Sequence, residues 1–132
     1  MNQIHTQFFK TPYGELILGC IDGRLCLCDW RYRKMRAAID QRLAHYLKAV
    51  FVSQDNRLLR DTRQQLEEYF SCRRKQFEIP LLTAGTDFQK RVWRELLSIS
   101  YGSTVSYLEL AENISNKNAV RAVASANGAN SI

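Results

Sequence analysis

Residues 85–132 read GTDFQKRVWRELLSISYGSTVSYLELAENISNKNAVRAVASANGANSI, and they decide the fold. Thr86 stands three residues before Gln89, the spacing of a capping box in which each side chain satisfies an orphan amide of the other. Phe88, Val92, Trp93, Leu96 and Leu97 then recur at helical spacing and predict one apolar face. Tyr101-Gly102 ends that helix. A second run follows Ser103 and Thr104, with Val105, Leu108 and Ala111 expected on one side and Tyr107 on another. The third, residues 117–127, turns Val120, Val123 and Ala124 inward. Its opposite face is Arg121, Ala122, Ser125 and Ala126, one long cation on a nearly flat surface. Two short helices joined by a brief turn, the second small-faced and cationic, suggest a helix-turn-helix, although any three-helix core shares the spacing.

The bulk properties bound the rest. A chain of 132 residues, 45% hydrophobic and 24% charged, fits one domain or two small ones of ordinary composition. No apolar run approaches the roughly 20 residues of a membrane helix, and residues 1–10 lack the apolar centre of a secretory signal. The expected location is cytoplasmic, with no membrane partner. The net charge of +6 favours polyanionic partners. Residues 1–86 hold 14 Lys/Arg against 9 Asp/Glu and residues 87–132 hold 5 against 4, so the excess lies outside the expected reading helix. Generic solubility explains that excess as well as DNA steering does.

Upstream, residues 8–30 read as a hairpin or meander. Phe9, Leu16, Leu18, Leu25 and Leu27 are spaced for strands, Pro12-Tyr13-Gly14 makes one turn and Asp22-Gly23 a second. Cys26 and Cys28 are expected on one face of their strand, with Cys20 opposite. Without a secretory signal a disulfide framework is disfavoured, and buried free thiols are the expectation for Cys20, Cys26, Cys28 and Cys72. The basic run Arg31-Tyr32-Arg33-Lys34-Met35-Arg36 reads as a solvated loop ahead of contact with a DNA backbone. Leu43, Tyr46 and Leu47 mark a helix, with His45 an ordinary residue beside them. Asp61 or Thr62 is placed to cap a helix through Leu66, Tyr69 and Phe70, and Arg73-Arg74-Lys75 suits its C-terminal end. Ile79 is pushed to extended geometry by Pro80. The domain division is 1–82 for an N-terminal α/β domain, 83–86 for a linker and 87–132 for the helical unit.

The residues go further than their spacing. FQKRVW, YGSTVSYLELA and NAVRAVASANGAN, in that order, resemble the O6-alkylguanine-DNA alkyltransferases, or methylated-DNA–protein-cysteine methyltransferases. QLEEYFSCRRKQFEIPLL resembles the segment that precedes this motif in the family, and TPYGELILGCIDGRL its N-terminal hairpin. The resemblance spans nearly the whole chain. It implies an α/β (α+β) fold: a small antiparallel sheet with helices, then a winged-helix-like helix-turn-helix domain that is incomplete here.

It also implies a function, single-turnover repair of duplex DNA containing O6-alkylguanine, without a cofactor. The family's arginine that enters the base stack from the minor groove corresponds to Arg121. Ala122, Ser125 and Ala126 are the small neighbours that let the backbone approach. Tyr107 corresponds to the tyrosine that crowds the phosphate and faces the flipped guanine, and Asn130 to the asparagine that braces the loop before the acceptor cysteine. That cysteine belongs to a Pro-Cys-His-Arg motif, which falls beyond Ile132, so no catalytic residue is present and the 132 residues are expected to be inactive. No metal is expected: Cys20 and Cys26 fall near two of the family's zinc positions, but His5 and His45 do not match the others. Ser100 and Ser131 stand where the family often has proline, which loosens their loops, and Leu108 replaces a frequent glycine. The family's wing and last helix cover part of the helix carrying Phe88, Val92 and Trp93, so apolar exposure and self-association are expected there. Rival readings are a lesion binder that transfers nothing and a helix-turn-helix regulator of the major groove.

Overall fold

The structure, a computed structural model, describes residues 2–114 and 117–132. It divides into two compact units, one running to Ala84 and taking in Ser131–Ile132, the other Gly85–Asn130. Among the described residues no helix is long and apolar enough to cross a membrane.

The first unit is a four-stranded sheet of order β3-β2-β1-β4, formed by β1 (Asn2–Thr11), β2 (Gly14–Ile21), β3 (Arg24–Trp30) and β4 (Ala49–Ser53). The first three strands include the antiparallel meander read over residues 8–30, with β1 beginning earlier than expected, at Asn2. Asp22 and Gly23 both have positive φ, 51° and 72°, the turn geometry that suits the right-handed twist of the paired strands. β4 extends the sheet differently, pairing parallel to β1 from Asn2↔Ala49 to Thr6↔Ser53. It follows α1 (Arg36–Leu47), which returns the chain across the sheet.

Side-chain alternation along β2 splits the core in two. Ile17 and Ile21 pack with Ile4, Ile39 and Leu43 against α1. Leu16, Leu18 and Cys20 pack with Leu59 and Leu66 of α2 (Arg57–Phe70). The cysteines depart from the expected faces. The register slips at Gly19/Cys20, where Cys20 faces Leu25 and Gly19 faces Leu27, so Cys26 is the extra residue of a bulge. Cys26 therefore joins the α1 side while Cys28 packs with Cys20 on the α2 side.

The cap of α2 is Asn56, five residues before the expected Asp61. Its side-chain oxygen accepts from the Leu59 amide at 2.9 Å, and its amide nitrogen donates to the Cys20 sulfur at 2.8 Å and meets His5 Nδ1 at 3.2 Å. Thr62 lies inside the helix, buried, with its hydroxyl donating to the Leu58 carbonyl at 2.8 Å. Residues 80–82 run extended along β3, as the proline implies: Leu25 donates to the Pro80 carbonyl and Leu82 to the Leu25 carbonyl, each at 2.8 Å. Ser131 is held on the same strand, its hydroxyl donating to the Cys26 carbonyl at 3.0 Å and its carbonyl accepting from the Cys28 amide at 2.7 Å. The loss of proline there is thus offset by a side-chain tether that proline cannot form.

The basic run turns inward onto the unit's own carboxylates. Arg31 pairs with Glu15 at 2.9 Å and stacks 3.7 Å above the Phe8 ring. Arg33 and Arg36 share Asp29, at 2.8 and 3.1 Å. These guanidinium groups brace the sheet edge and the start of α1, so the run is more engaged with its own unit than the solvated-loop reading expected.

Because Asn56 joins helix cap, thiol and imidazole, Asn56→Ala should destabilise the first unit by about 1–2 kcal/mol. Asn56→Asp, which keeps the capping oxygen, should recover part of that loss. Urea midpoints followed by circular dichroism test this, and equal midpoints for Asn56→Ala and wild type would contradict it.

Candidate nucleic-acid interface

The second unit comprises α3 (Asp87–Leu96), α4 (Tyr107–Asn113) and α5 (Val120–Gly128), the last entered through a 3-10 turn at Lys117–Ala119. Ser115 and Asn116, inside the expected turn between the second and third helices, lie outside the described residues.

The capping box forms as read: the Gln89 amide donates to Thr86 Oγ1 at 3.1 Å, and the Thr86 amide donates to Gln89 Oε1 at 3.0 Å. Gly85 is fixed by close approach, since a Cβ there would lie 2.6 Å from the Trp93 ring. Val92 and Trp93 are buried, Phe88 and Leu96 pack beside them, and Leu97 is 70% exposed. The helix expected to expose apolar surface is therefore covered by α4 and α5. Among the described residues of this unit, the large apolar side chains that are exposed are instead Leu97, Tyr101, Val105, Tyr107 and Leu108.

On α4 the buried stripe is Leu110, Ala111 and the following Ile114, so Leu108, expected inside, faces out. Ser106 caps the helix, accepting from the Glu109 amide at 3.1 Å. Arg91 of α3 donates to the Ile114 carbonyl at 2.8 Å and closes the far end.

α5 carries most of the expected site. Arg121, Ala122 and Ser125 are exposed, and Arg121 has no ion-pair partner among the described residues. Arg121 and Ser125, four residues apart, share the outward side, with Ala122 at its edge. Ala126 does not belong with them. It is 2% exposed, packs with Val123, and its carbonyl accepts from the Trp93 indole at 2.8 Å. The inward stripe runs 123–126 at i,i+3 spacing, which puts Ala126 rather than Ala124 in the core. Tyr107 is 45% exposed and reaches α5 through Asn127, whose amide donates to the phenol oxygen at 3.5 Å. No hydrogen bond links Tyr107 to Arg121. Asn130 is half-buried, its amide donating to the Asn127 carbonyl at 3.2 Å. Sequence reasoning missed Asn127; its one signal was the spacing that puts it a turn beyond Val123 on the side of α4.

Comparison with known proteins sets this geometry in context. Residues 87–132 match "6-O-methylguanine DNA methyltransferase, DNA binding domain", and residues 4–83 match "6-O-methylguanine DNA methyltransferase, ribonuclease-like domain". The methylated-DNA–protein-cysteine methyltransferase of Methanosarcina acetivorans is 44% identical over 94% of this chain and 74% of its own. The constitutive enzyme of Bacillus subtilis is 45% identical over 93% and 71%. The chain belongs to the 6-O-methylguanine DNA methyltransferase family. Among solved structures, the O6-methylguanine methyltransferase of Mycobacterium tuberculosis matches with a TM-score of 0.77 at 31% identity, over 100% of this chain and 73% of that one. A structure of Mycobacterium tuberculosis OGT in complex with DNA matches with a TM-score of 0.76, over 98% and 71%.

Membership in this methyltransferase family raises the question of the acceptor thiol. Burial pushes the Cys26 and Cys28 thiols up to about 12, and burial also raises Cys20. These are poor nucleophiles, because the thiolate is the reactive form. Cys72 is exposed at the end of α2 in the other unit. Iodoacetamide at about pH 8 should therefore modify Cys72 first in the native protein, and the remaining three only after denaturation. The same shifts set a pH dependence. In the unfolded chain these thiols ionise near the ordinary value of 9.0, whereas in the fold Cys26 and Cys28 stay neutral to about 12. Their contribution is complete below 9.0 and is lost as pH rises from there towards about 12. Thermal midpoints rising across that window would contradict the assignment.

Proposed function

We propose that this chain is a DNA repair protein of the O6-alkylguanine-DNA alkyltransferase type, which binds duplex DNA through α4 and α5 and rotates an alkylated guanine out of the stack. The observation that carries the reading is an exposed Arg121, with no ion-pair partner among the described residues, on a small-faced helix whose neighbour presents a half-exposed Tyr107. The family match over both units and the DNA complex of the mycobacterial relative support DNA as the partner.

The roles follow from the energetics of the task. A base acted on at O6 must leave the stack, at a cost of a few kcal/mol for unstacking. Arg121 fills the gap from the minor groove. Ala122 and Ser125 matter by being small, since a larger residue would hold the helix away from the groove. Ala126 acts one layer deeper, as the packed residue that sets how α5 is rotated. Tyr107 crowds the nucleotide backbone and borders the rotated base, and Asn130 braces the chain after α5. Where the family's Pro-Cys-His-Arg cysteine is present, its thiolate attacks the alkyl carbon. A sulfur–carbon bond forms as the carbon–O6 bond breaks, and guanine leaves. The step assigned to α4 and α5 is recognition and rotation, and the buried Cys20, Cys26 and Cys28 take no part in it. The exposed Leu97, Tyr101, Val105 and Leu108 give the surface through which copies of this chain self-associate.

The test is a fluorescence-anisotropy titration against duplexes with and without one O6-methylguanine. The lesion duplex should bind more tightly. Arg121→Ala should weaken that binding about tenfold or more, while Lys75→Ala should change it less than about twofold. Equal losses would mean that only bulk charge is at work. Alkylation of Cys20, Cys26 or Cys28 during the incubation would contradict the neutral, buried state of those thiols.

A further inference from the structure

The sheet of the first unit has two edges, and the chain treats them differently. Along β3 the edge is closed from within: Leu25 donates to the Pro80 carbonyl and accepts from the Leu82 amide, and the Cys28 amide donates to the Ser131 carbonyl. Along β4, the other edge, no backbone group of the described residues bonds to the outer side. An open edge is a template for a further strand, and proteins commonly guard it with charge, proline, a bulge or a cover. β4 reads AVFVS, without charge or proline, and it pairs with β1 from Asn2↔Ala49 to Thr6↔Ser53 without a register shift.

One bond tells which way the backbone of β4 faces. Just past the strand, the Gln54 amide donates inward to the Thr6 carbonyl at 3.3 Å, and Thr6 is the residue paired with Ser53. In a parallel ladder inward and outward residues alternate, so Val50 and Val52 turn their N–H and C=O groups to β1, while Ala49, Phe51 and Ser53 turn theirs out. Ala49 is buried, which leaves Phe51 and Ser53 as the accessible outward pair. Side chains alternate as well. Phe51 lies opposite Ile4 and packs with it on the α1 side, whereas Val50 and Val52 take the other face, where Val50 is 43% exposed.

We propose that β4 is the docking edge for a second copy of this chain, the two β4 strands pairing antiparallel about a two-fold axis at Val52. In that register Phe51 faces Ser53 of the second copy and Ser53 faces its Phe51, each pair exchanging both hydrogen bonds. Val52 meets its own counterpart at the closer, non-bonded position, apolar against apolar. The flanking charges favour this direction. Exposed Lys48 precedes the strand and exposed Asp55 follows it, so antiparallel pairing brings Lys48 near Asp55 of the second copy at both ends. A parallel pair would set like against like. The assembly also stops at two. Once the β4 edges meet, the edges that remain belong to β3, and each is already closed by its own chain. The inference is independent of lesion binding and of the apolar surface around Leu97.

The experiment is sedimentation equilibrium with amide hydrogen exchange, run on the Leu97→Lys chain so that the apolar surface of the second unit does not contribute. That chain should still form dimers at concentrations up to about 0.1 mM, with the Phe51 and Ser53 amides protected and the protection falling on dilution. Ser53→Pro removes an outward N–H and spares the bonds to β1, and Val52→Lys sets two cations face to face across the axis. Each should weaken the dimer about tenfold or more, with circular dichroism showing an intact fold. An equimolar mixture of Val52→Lys and Val52→Glu chains should dimerise where neither does alone. A monomeric Leu97→Lys chain with freely exchanging Phe51 and Ser53 amides would overturn the proposal. So would protection that does not change on dilution, since the chain would then cover the edge itself, and so would a dimer that survives both Ser53→Pro and Val52→Lys.

Discussion

The second unit depends on one buried hydrogen bond, from the Trp93 indole to the Ala126 carbonyl at 2.8 Å. A buried indole N–H needs an acceptor, and the Ala126 carbonyl has a second lone pair to offer beside the 3.2 Å bond it accepts from the Ala129 amide. The bond removes the penalty of an unpaired indole. The bond also fixes how α5 is rotated. With Ala126 and Val123 turned in, Arg121 and Ser125 must turn out. Gly85 belongs to the same constraint, because any side chain there would strike the Trp93 ring and displace the indole from its acceptor.

The distribution of charge follows a different rule in the two units. The first holds most of the positive excess, yet its densest basic run is spent on Glu15, Asp29 and Asp40, within its own sheet edge and first helix. The second is nearly balanced, so whatever it recognises is recognised by placed groups rather than by a broad field. The exposed guanidinium of Arg121, the small outward Ala122 and Ser125 and the half-exposed Tyr107 are such groups.

Much of this was legible in the sequence, and the failures have physical causes. The Asp22-Gly23 turn and the Thr86–Gln89 box were readable because each is a local motif whose residues bond to one another. β4 was not, because Lys48 ends α1 in the left-handed region, at φ 48°, where a glycine would normally give the signal. The apolar Ala49–Ser53 then merges with the helical pattern before it. The bulge at Cys26 was hidden because it leaves no mark in side-chain type, yet it reverses which face each later residue takes. On α4, Val105, Leu108 and Ala111 compete with Leu110, Ala111 and Ile114, and seven residues are too few for periodicity to choose. Packing against Val92 and Val123 chooses instead. The family was readable because motif order and residue identity carry it, and neither depends on which face a side chain takes. Asn127 escaped because its contact with Tyr107 exists only once α4 and α5 are side by side.

The central claim is that the outward side of α5, with Tyr107 beside it, meets damaged DNA. The most direct measurement is an amide and side-chain NMR titration of the labelled chain with an O6-methylguanine duplex. The account predicts perturbations concentrated at Arg121, Ala122, Ser125, Tyr107 and Asn127, with the paired Arg33 and Arg36 of the first unit left unmoved. Perturbations centred on those first-unit arginines, with α5 silent, would contradict it.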